Sequence, residues 1–397
     1  MGSDFADRMG SVHKSFIREI LKVTQDPSII SFGGGLPNPS SFPIMEISEA
    51  AEKVLRASGE DALQYSTTEG YLPLREIIAE RYARRGLKVS PHNILITSGS
   101  QQGIDLTGKV FINKGDPVLV EKPTYLATLQ AYGLYEPEFR SITLQDDGPD
   151  LAELERELAA GVKLFYAVPN FQNPTGITYS LAKRRAAARL LDEHETVFIE
   201  DDPYGEIRFM GEDLPPVKSF LERSVLLGSF SKIVSPGMRL GWLVAPDDIM
   251  DKVIVAKQAT DLHTNYFIQR VVHRYMADND VDAHIGKIKT LYRKQRDHMV
   301  AAIEAHFPDG VQCTKPEGGM FLWVTLPEGV SSVELFDLAI REKVAFVPGK
   351  AFYADGSGDN TLRLNYTNSC PEAIDAGIER LGNAIRQLMA EKAYAIR

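Results

Sequence analysis

Val197-Phe198-Ile199-Glu200-Asp201-Asp202-Pro203-Tyr204 is a short run of β-branched and aromatic residues that turns acidic and then meets a proline. An apolar run without alternation, closed by turn chemistry, is the pattern of a strand buried on both faces of a parallel sheet. The same pattern recurs on either side. Ile94 to Thr97, Val118 to Glu121, Leu164 to Val168, Val225 to Gly228 and Leu240 to Ala245 are apolar runs of strand length separated by helical patterns. This alternation predicts βαβ units and a largely parallel sheet, hence an α/β fold.

Residues able to do chemistry fall where these strands end. Asp201 follows Val197 to Glu200, Asn173 in Asn173-Pro174-Thr175-Gly176 follows Phe165 to Val168, and Lys232 follows Val225 to Gly228. Ligands of open α/β sheets bind beyond the carboxyl ends of the strands, so the three positions are expected in one crevice. Gly99-Ser100-Gln101-Gln102-Gly103 follows Ile94 to Thr97 and opens a helix, which aims backbone N–H groups at an anion such as a phosphate. It is neither the dinucleotide fingerprint nor a Walker motif. Ser229, Ser231 and Arg239 add hydroxyl donors and a guanidinium.

Each of these residues also has an ordinary structural reading. Lys232 fits a lysine at a strand end, Asn173 an Asx-Pro turn, and Tyr125 a packing aromatic after Pro123. Glu200-Asp201-Asp202 fits an acidic capping turn, and Arg363, between apolar neighbours in Thr361-Leu362-Arg363-Leu364, fits an internal ion pair. Their joint occurrence is more telling. An amine that can form an imine, a carboxylate three residues before a phenol, an amide on a tight turn and a guanidinium are the groups that pyridoxal 5'-phosphate requires. In this reading Lys232 is the nucleophile. Asp201 holds the pyridine nitrogen, with Asp202 as the alternative, and Tyr204 and Asn173 reach the phenolic oxygen. Ser229-Phe230-Ser231-Lys232 also fits a Ser-x-x-Lys pattern, but the Ser-Asp-Asn and Lys-Thr-Gly companions of that chemistry are missing.

The 397 residues exceed what one compact core usually holds. We expect an arm over 1–44, a large domain over 45–285 and a smaller α+β domain over 286–397. The last is read as a long polar helix, a strand Met320 to Leu326, a helix over 333–342, a strand Thr361 to Tyr366 and a final helix over 371–392. A net charge of −10 argues against a nucleic-acid surface. The basic groups Lys183-Arg184-Arg185 and Lys287, Lys289, Arg293, Lys294, Arg296 are expected on solvated helix faces. Two cysteines rule out a disulfide framework, no apolar run reaches membrane-spanning length, and the histidines lack metal-ligand spacing. A cytoplasmic location is expected, with no metal, nucleic-acid or membrane partner.

These motifs, in this order and over nearly the full length, resemble the fold-type I, class I/II pyridoxal-phosphate aminotransferases. The resemblance implies a two-domain α/β enzyme in which Lys232 carries the cofactor, Asp201 pairs with its ring nitrogen, and Asn173 and Tyr204 bond its phenolic oxygen. Tyr125 is then the stacking aromatic, and Ser100, Gln101, Ser229, Ser231 and Arg239 hold the phosphate. Tyr65, in Gln64-Tyr65-Ser66, reaches the phosphate of a neighbouring subunit, which implies a homodimer. Arg363 clamps the α-carboxylate of amino-acid and 2-oxo-acid substrates, with Gly34, Asn173 and Tyr65 beside it. Phe32-Gly33-Gly34-Gly35-Leu36-Pro37, Tyr65 to Tyr71 and Asp201-Asp202-Pro203-Tyr204 are similar to the 2-aminoadipate and kynurenine/aminoadipate subgroup. There Arg18, on a movable helix expected over 13–25, meets acidic side chains. Valine–pyruvate and aromatic aminotransferases share much of the pattern, and a lyase on the same fold or a cofactor-sensing regulator are the other readings.

Overall fold

The computed structural model describes residues 4–10 and 26–395. In chain order its strands are β1 Ile30–Ser31, β2 Ile94–Thr97, β3 Pro117–Lys122, β4 Glu138–Gln145, β5 Gly148–Pro149, β6 Leu164–Ala167 and β7 Val197–Asp202, followed by β8 Ser224–Ser229, β9 Gly241–Val244, β10 Gln312–Cys313, β11 Phe321–Thr325, β12 Val344–Ala345, β13 Val347–Pro348 and β14 Thr361–Asn365. The helices are α1 Ile44–Ala62, α2 Leu72–Arg84, α3 Ser100–Phe111, α4 Leu126–Gly133, α5 Leu151–Ala159 and α6 Leu181–Asp192, then α7 Asp247–Asp261, α8 Tyr266–Asp278, α9 Val281–His306, α10 Ser332–Arg341 and α11 Pro371–Ala395.

An eight-stranded sheet in the order β2-β9-β8-β7-β6-β3-β4-β5 forms the centre. Strands β8, β7, β6, β3 and β4 pair in parallel, whereas β9 is antiparallel to both β2 and β8. Every residue of β2, β6, β7, β8 and β9 is buried, as expected of strands covered by helices on both faces. The predicted strands lie within two residues of those observed. The longest strand missing from the sequence reading is β4, near the sheet edge, where Glu138, Arg140 and Gln145 break the apolar run and only Ile142 is fully buried; the two-residue strands β5, β10, β12 and β13 are too short to leave a pattern. Helix ends follow capping rules: Asp150 accepts from the Ala152 and Glu153 amides, and Ser180 from that of Lys183.

The four-stranded sheet β10-β11-β14-β13 is antiparallel; α10 packs on its β13 edge and α11 packs in turn on α10 and α9. The chain before α1 belongs to this part of the molecule. Strand β1 pairs in parallel with β12, and the Asn365 amide donates to the Phe32 carbonyl at 2.8 Å. Phe32 is fully buried, close enough to Gly377 that a Cβ there would meet its ring at 2.5 Å. Helix α9 begins at Val281, ahead of residue 286, because Asp280 caps it through the Ala283 amide. Two basic residues depart from the expected solvated faces. Arg184 is fully buried and satisfied by the carbonyls of Tyr179, Pro215 and Pro169 and by Asn170 Oδ1, and Arg296 is buried with a bond to the Pro316 carbonyl.

Candidate active site

The carboxyl ends of β2, β6, β7 and β8 open into a cavity of about 330 Å³, closed from the other side by β11, β14 and the chain before α1. Its wall includes Ser100, Gln101, Tyr125, Asn173, Asp201, Tyr204, Ser229, Ser231, Lys232, Arg239 and Arg363, all singled out from the sequence. They are joined by Gly35, Val168, Pro203, Pro236 and Phe321.

Asp201 and Asp202 are separated by the two-residue period of β7, which sends successive side chains to opposite faces. Asp202 is fully engaged away from the cavity: Arg85 Nη2 donates at 3.0 Å, Asn170 Nδ2 at 2.8 Å and the Gly205 amide at 2.8 Å. Asp201 lines the cavity and is 2% exposed. The Tyr166 hydroxyl donates to its Oδ2 at 2.7 Å, while Oδ1 is buried with no hydrogen-bond partner among the described residues. Burial pushes the Asp201 carboxyl up to about 7, against the hydrogen bond from Tyr166 and with the Asp202 charge adding to the rise. The alternative carboxylate, Asp202, is thus a structural one.

Lys232 is half-buried, and its Nζ donates to the Gly35 carbonyl at 3.1 Å. Burial, followed by the charges of Arg363 and Arg239, brings its amine down to about 8. Arg363 is 2% exposed in the middle of β14. Its Nη1 donates to Asn173 Oδ1 and its Nη2 to the Gly33 carbonyl, each at 2.7 Å, while Nε has no partner among the described residues. The guanidinium stacks over Phe321 at 4.3 Å and Phe352 at 5.2 Å. No carboxylate faces it among these contacts, so the internal ion pair weighed from the sequence does not form. Burial lowers its pKa to about 10, and it stays charged. Burial also raises the Tyr204 and Tyr125 hydroxyls, the latter to about 12, so both remain protonated donors.

At the far end, α3 begins at Ser100 after Gly99, whose φ of +75° suits glycine. A Cβ at Gly99 would lie 2.7 Å from Arg239 Nη2, so the bare backbone is what admits the guanidinium. Arg239 itself adopts a left-handed conformation with φ 51° after Pro236-Gly237-Met238. The Ser231 amide is held by Ser229 Oγ at 3.1 Å. Backbone N–H groups, hydroxyls and a guanidinium therefore converge where an anion is favoured.

Other expected residues lie elsewhere. Tyr65 is 79% exposed, edge-on to His263 at 5.8 Å, and outside the cavity. Gly34 is not in the wall, although its neighbours Gly33 and Gly35 contribute the carbonyls described above. Arg18 and the helix expected over 13–25 lie outside the described residues. The sequence reading missed Tyr166, Phe321 and the carbonyl of Gly35. Tyr166 had a usable signal: in β6 it shares a face with Val168, two residues on, which lines the cavity. No group of His, Cys, Asp or Glu among the described residues could hold a metal ion.

The family model for aminotransferase class I and II matches residues 31–381. The aromatic-amino-acid aminotransferase 1 of Thermococcus litoralis is 44% identical, with 97% of this chain and 94% of that protein covered. The 2-aminoadipate transaminase of Thermus thermophilus is 43% identical, with 97% of each covered. Among solved structures, the α-aminoadipate aminotransferase of Thermus thermophilus, complexed with N-(5'-phosphopyridoxyl)-L-leucine, superposes with a TM-score of 0.90 at 41% identity, over 97% of this chain and 98% of that one.

Proposed function

The chain belongs to the class I and II aminotransferases, and from that premise we propose that its cavity holds pyridoxal 5'-phosphate and moves an amino group from an L-amino acid, with 2-aminoadipate and glutamate as the leading donors, to a 2-oxo acid. Similarity to the 2-aminoadipate and aromatic-amino-acid enzymes supports that substrate class, with aromatic or branched-chain donors as further candidates. The observation that carries the reading is the pairing, in one cavity, of the Lys232 amine with an Asp201 oxygen that is buried and unpartnered.

The cavity fits the cofactor at both ends. An orphaned carboxylate oxygen is suited to a ring N–H, and the Gly99 backbone, which a Cβ would fill, leaves Arg239 beside the start of α3 for a phosphate. When bound, pyridoxal 5'-phosphate supplies an aldehyde that condenses with amines and a ring that accepts the electrons of a substrate carbanion. Asp201 keeps the proton on the ring nitrogen. Arg363 occupies Asn173 Oδ1, which leaves the Asn173 amide nitrogen to donate, with the Tyr204 hydroxyl, to the phenolic oxygen. Ser100, Gln101, Ser229, Ser231 and Arg239 hold the phosphate, and Tyr125 stacks on the ring. Arg363 takes the substrate carboxylate, with Gly34 at the same end. The Lys232 amine would carry the proton taken from the substrate α-carbon, because lowering it to about 8 gives it a neutral fraction near neutral pH that a solvated lysine lacks.

The exposed Tyr65 is read as a contribution to the cavity of a second copy. Leu63, 71% exposed, and Leu262, 46% exposed, support burial of this region in a homodimer. Sedimentation would expose an error here as a fully active, cofactor-loaded monomer. A cytoplasmic setting is supported by the free Cys313 and Cys370. The separate eight-stranded and four-stranded sheets support division into an arm, a large domain and a small domain at about residues 44 and 285. The purified protein should be yellow, and Lys232→Ala should abolish turnover; wild-type turnover in that variant would overturn the assignment.

A further inference from the structure

We infer that Tyr166 is a positioning residue for Asp201: its hydroxyl pins one carboxylate oxygen so that the other is presented to the ring nitrogen of the cofactor. The inference rests on the cofactor reading above and deepens it. The geometry comes from two adjacent parallel strands. In the β6–β7 register Tyr166 stands opposite Ile199 and Ala167 opposite Glu200, so the tyrosine points to the same face as Asp201 from one strand away. Its hydroxyl reaches Asp201 Oδ2 at 2.7 Å.

The tyrosine is itself held. It is fully buried, and its ring sits edge-on to Tyr132 at 6.1 Å; Tyr132 OH in turn lies 2.9 Å from Thr107 Oγ1 on α3. Asp201 is thereby tied, through two aromatic rings, to the helix whose first turn faces the phosphate end of the cavity.

The other groups around the carboxylate do not offer a second pin. Asp202 repels it and is consumed by Arg85, Asn170 and the Gly205 amide. The Asp201 charge helps to raise the hydroxyls of Tyr125 and Tyr204, but the hydrogen bond that holds the carboxylate comes from Tyr166. A buried carboxylate with one oxygen satisfied and one bare is costly in the empty protein and complementary to an incoming N–H donor. Without the Tyr166 hydroxyl the carboxylate is free to turn, and it holds its own proton more firmly. It must surrender that proton to accept a ring N–H.

The test compares binding of pyridoxal 5'-phosphate with that of its 1-deaza analogue, which has a ring C–H in place of the nitrogen, to the apo forms of wild type, Tyr166→Phe and Asp201→Asn. The readout is the dissociation constant by equilibrium dialysis, with thermal unfolding as the check on folding. Wild type should prefer the nitrogen-containing ring. Tyr166→Phe, which keeps the packing against Tyr132, should lose roughly five- to thirtyfold in affinity for pyridoxal 5'-phosphate while binding the deaza analogue as wild type does. A merely structural tyrosine would weaken both ligands equally or neither, and either result overturns the inference. Loss of the preference in Asp201→Asn but not in Tyr166→Phe would sink the positioning role and leave the cofactor reading intact. No preference in wild type would remove both.

Discussion

The carbonyl of Gly35 accepts a hydrogen bond from Lys232 Nζ at 3.1 Å, which brings the chain before α1 to the reactive amine. Gly33, two residues earlier, accepts from Arg363. One glycine-rich segment therefore touches both the proposed cofactor lysine and the proposed carboxylate clamp. It is built into the small sheet through Phe32 and Asn365, so small-sheet position and site geometry are coupled.

The pH dependence of cofactor capture reads the state of that amine. Burial and two guanidinium charges lower Lys232 from 10.5 to about 8, so the neutral nucleophile predominates above about 8. Mixing the apoprotein with pyridoxal 5'-phosphate should give an attachment rate that rises with pH and levels off above about 8, followed by stopped-flow absorbance. An inflection near 10 would mean that Lys232 behaves as a solvated lysine.

Asp201 should trade stability for binding. Its carboxyl is raised from 3.8 to about 7 by burial, so the folded apoprotein binds this proton more tightly than the unfolded chain does. The contribution is then favourable below about 4 and is lost as pH rises through about 7. Asp201→Asn should make the apoprotein more heat-stable than wild type at pH 8, by a few degrees, with the gap closing toward pH 4. The same variant should lose most of the stabilisation that the cofactor gives wild type. Thermal scans across pH, with and without cofactor, check both halves.

Much of this site was legible because strand ends are. Asp201, Asn173 and Lys232 each close an apolar run, and parallel-sheet geometry brings such ends together. Position 166 escaped notice because Phe165-Tyr166-Ala167 reads as pure core, although its two-residue spacing from Val168 puts it on the cavity face, where pairing with β7 sets its hydroxyl against Asp201. The Gly35 carbonyl has no side-chain signature at all. Strand β4 was missed because Glu138, Arg140 and Gln145 interrupt its apolar residues, and Arg184 was misjudged because backbone carbonyls, which composition does not register, satisfy it.

Arg363→Lys tests the carboxylate clamp. A lysine keeps the charge but loses the planar fork that stacks on Phe321 and Phe352 and spans Asn173 and Gly33. We expect kcat/KM for every amino-acid donor to fall about ten- to a hundredfold, chiefly through KM. Steady-state kinetics over several donors would show the effect, and an unchanged KM would exclude the assignment.

Arg18, which lies outside the described residues, is proposed to meet the side-chain carboxylate of acidic donors. Arg18→Ala should cost about ten- to a hundredfold in kcat/KM for 2-aminoadipate and glutamate while sparing leucine. Equal losses for leucine and 2-aminoadipate would assign the residue to the fold.

The most direct measurement of the central claim is a single half-reaction. Cofactor-loaded protein is mixed with an excess of L-2-aminoadipate, or of L-glutamate, in the absence of any 2-oxo acid, while the cofactor absorbance and the oxo acid released are followed together. An aminotransferase whose chemistry runs through Lys232 should bleach once, release one equivalent of 2-oxo acid per site and stop, then recover its colour when a 2-oxo acid is added. Continuous product release without an acceptor, as from a lyase, would contradict the account.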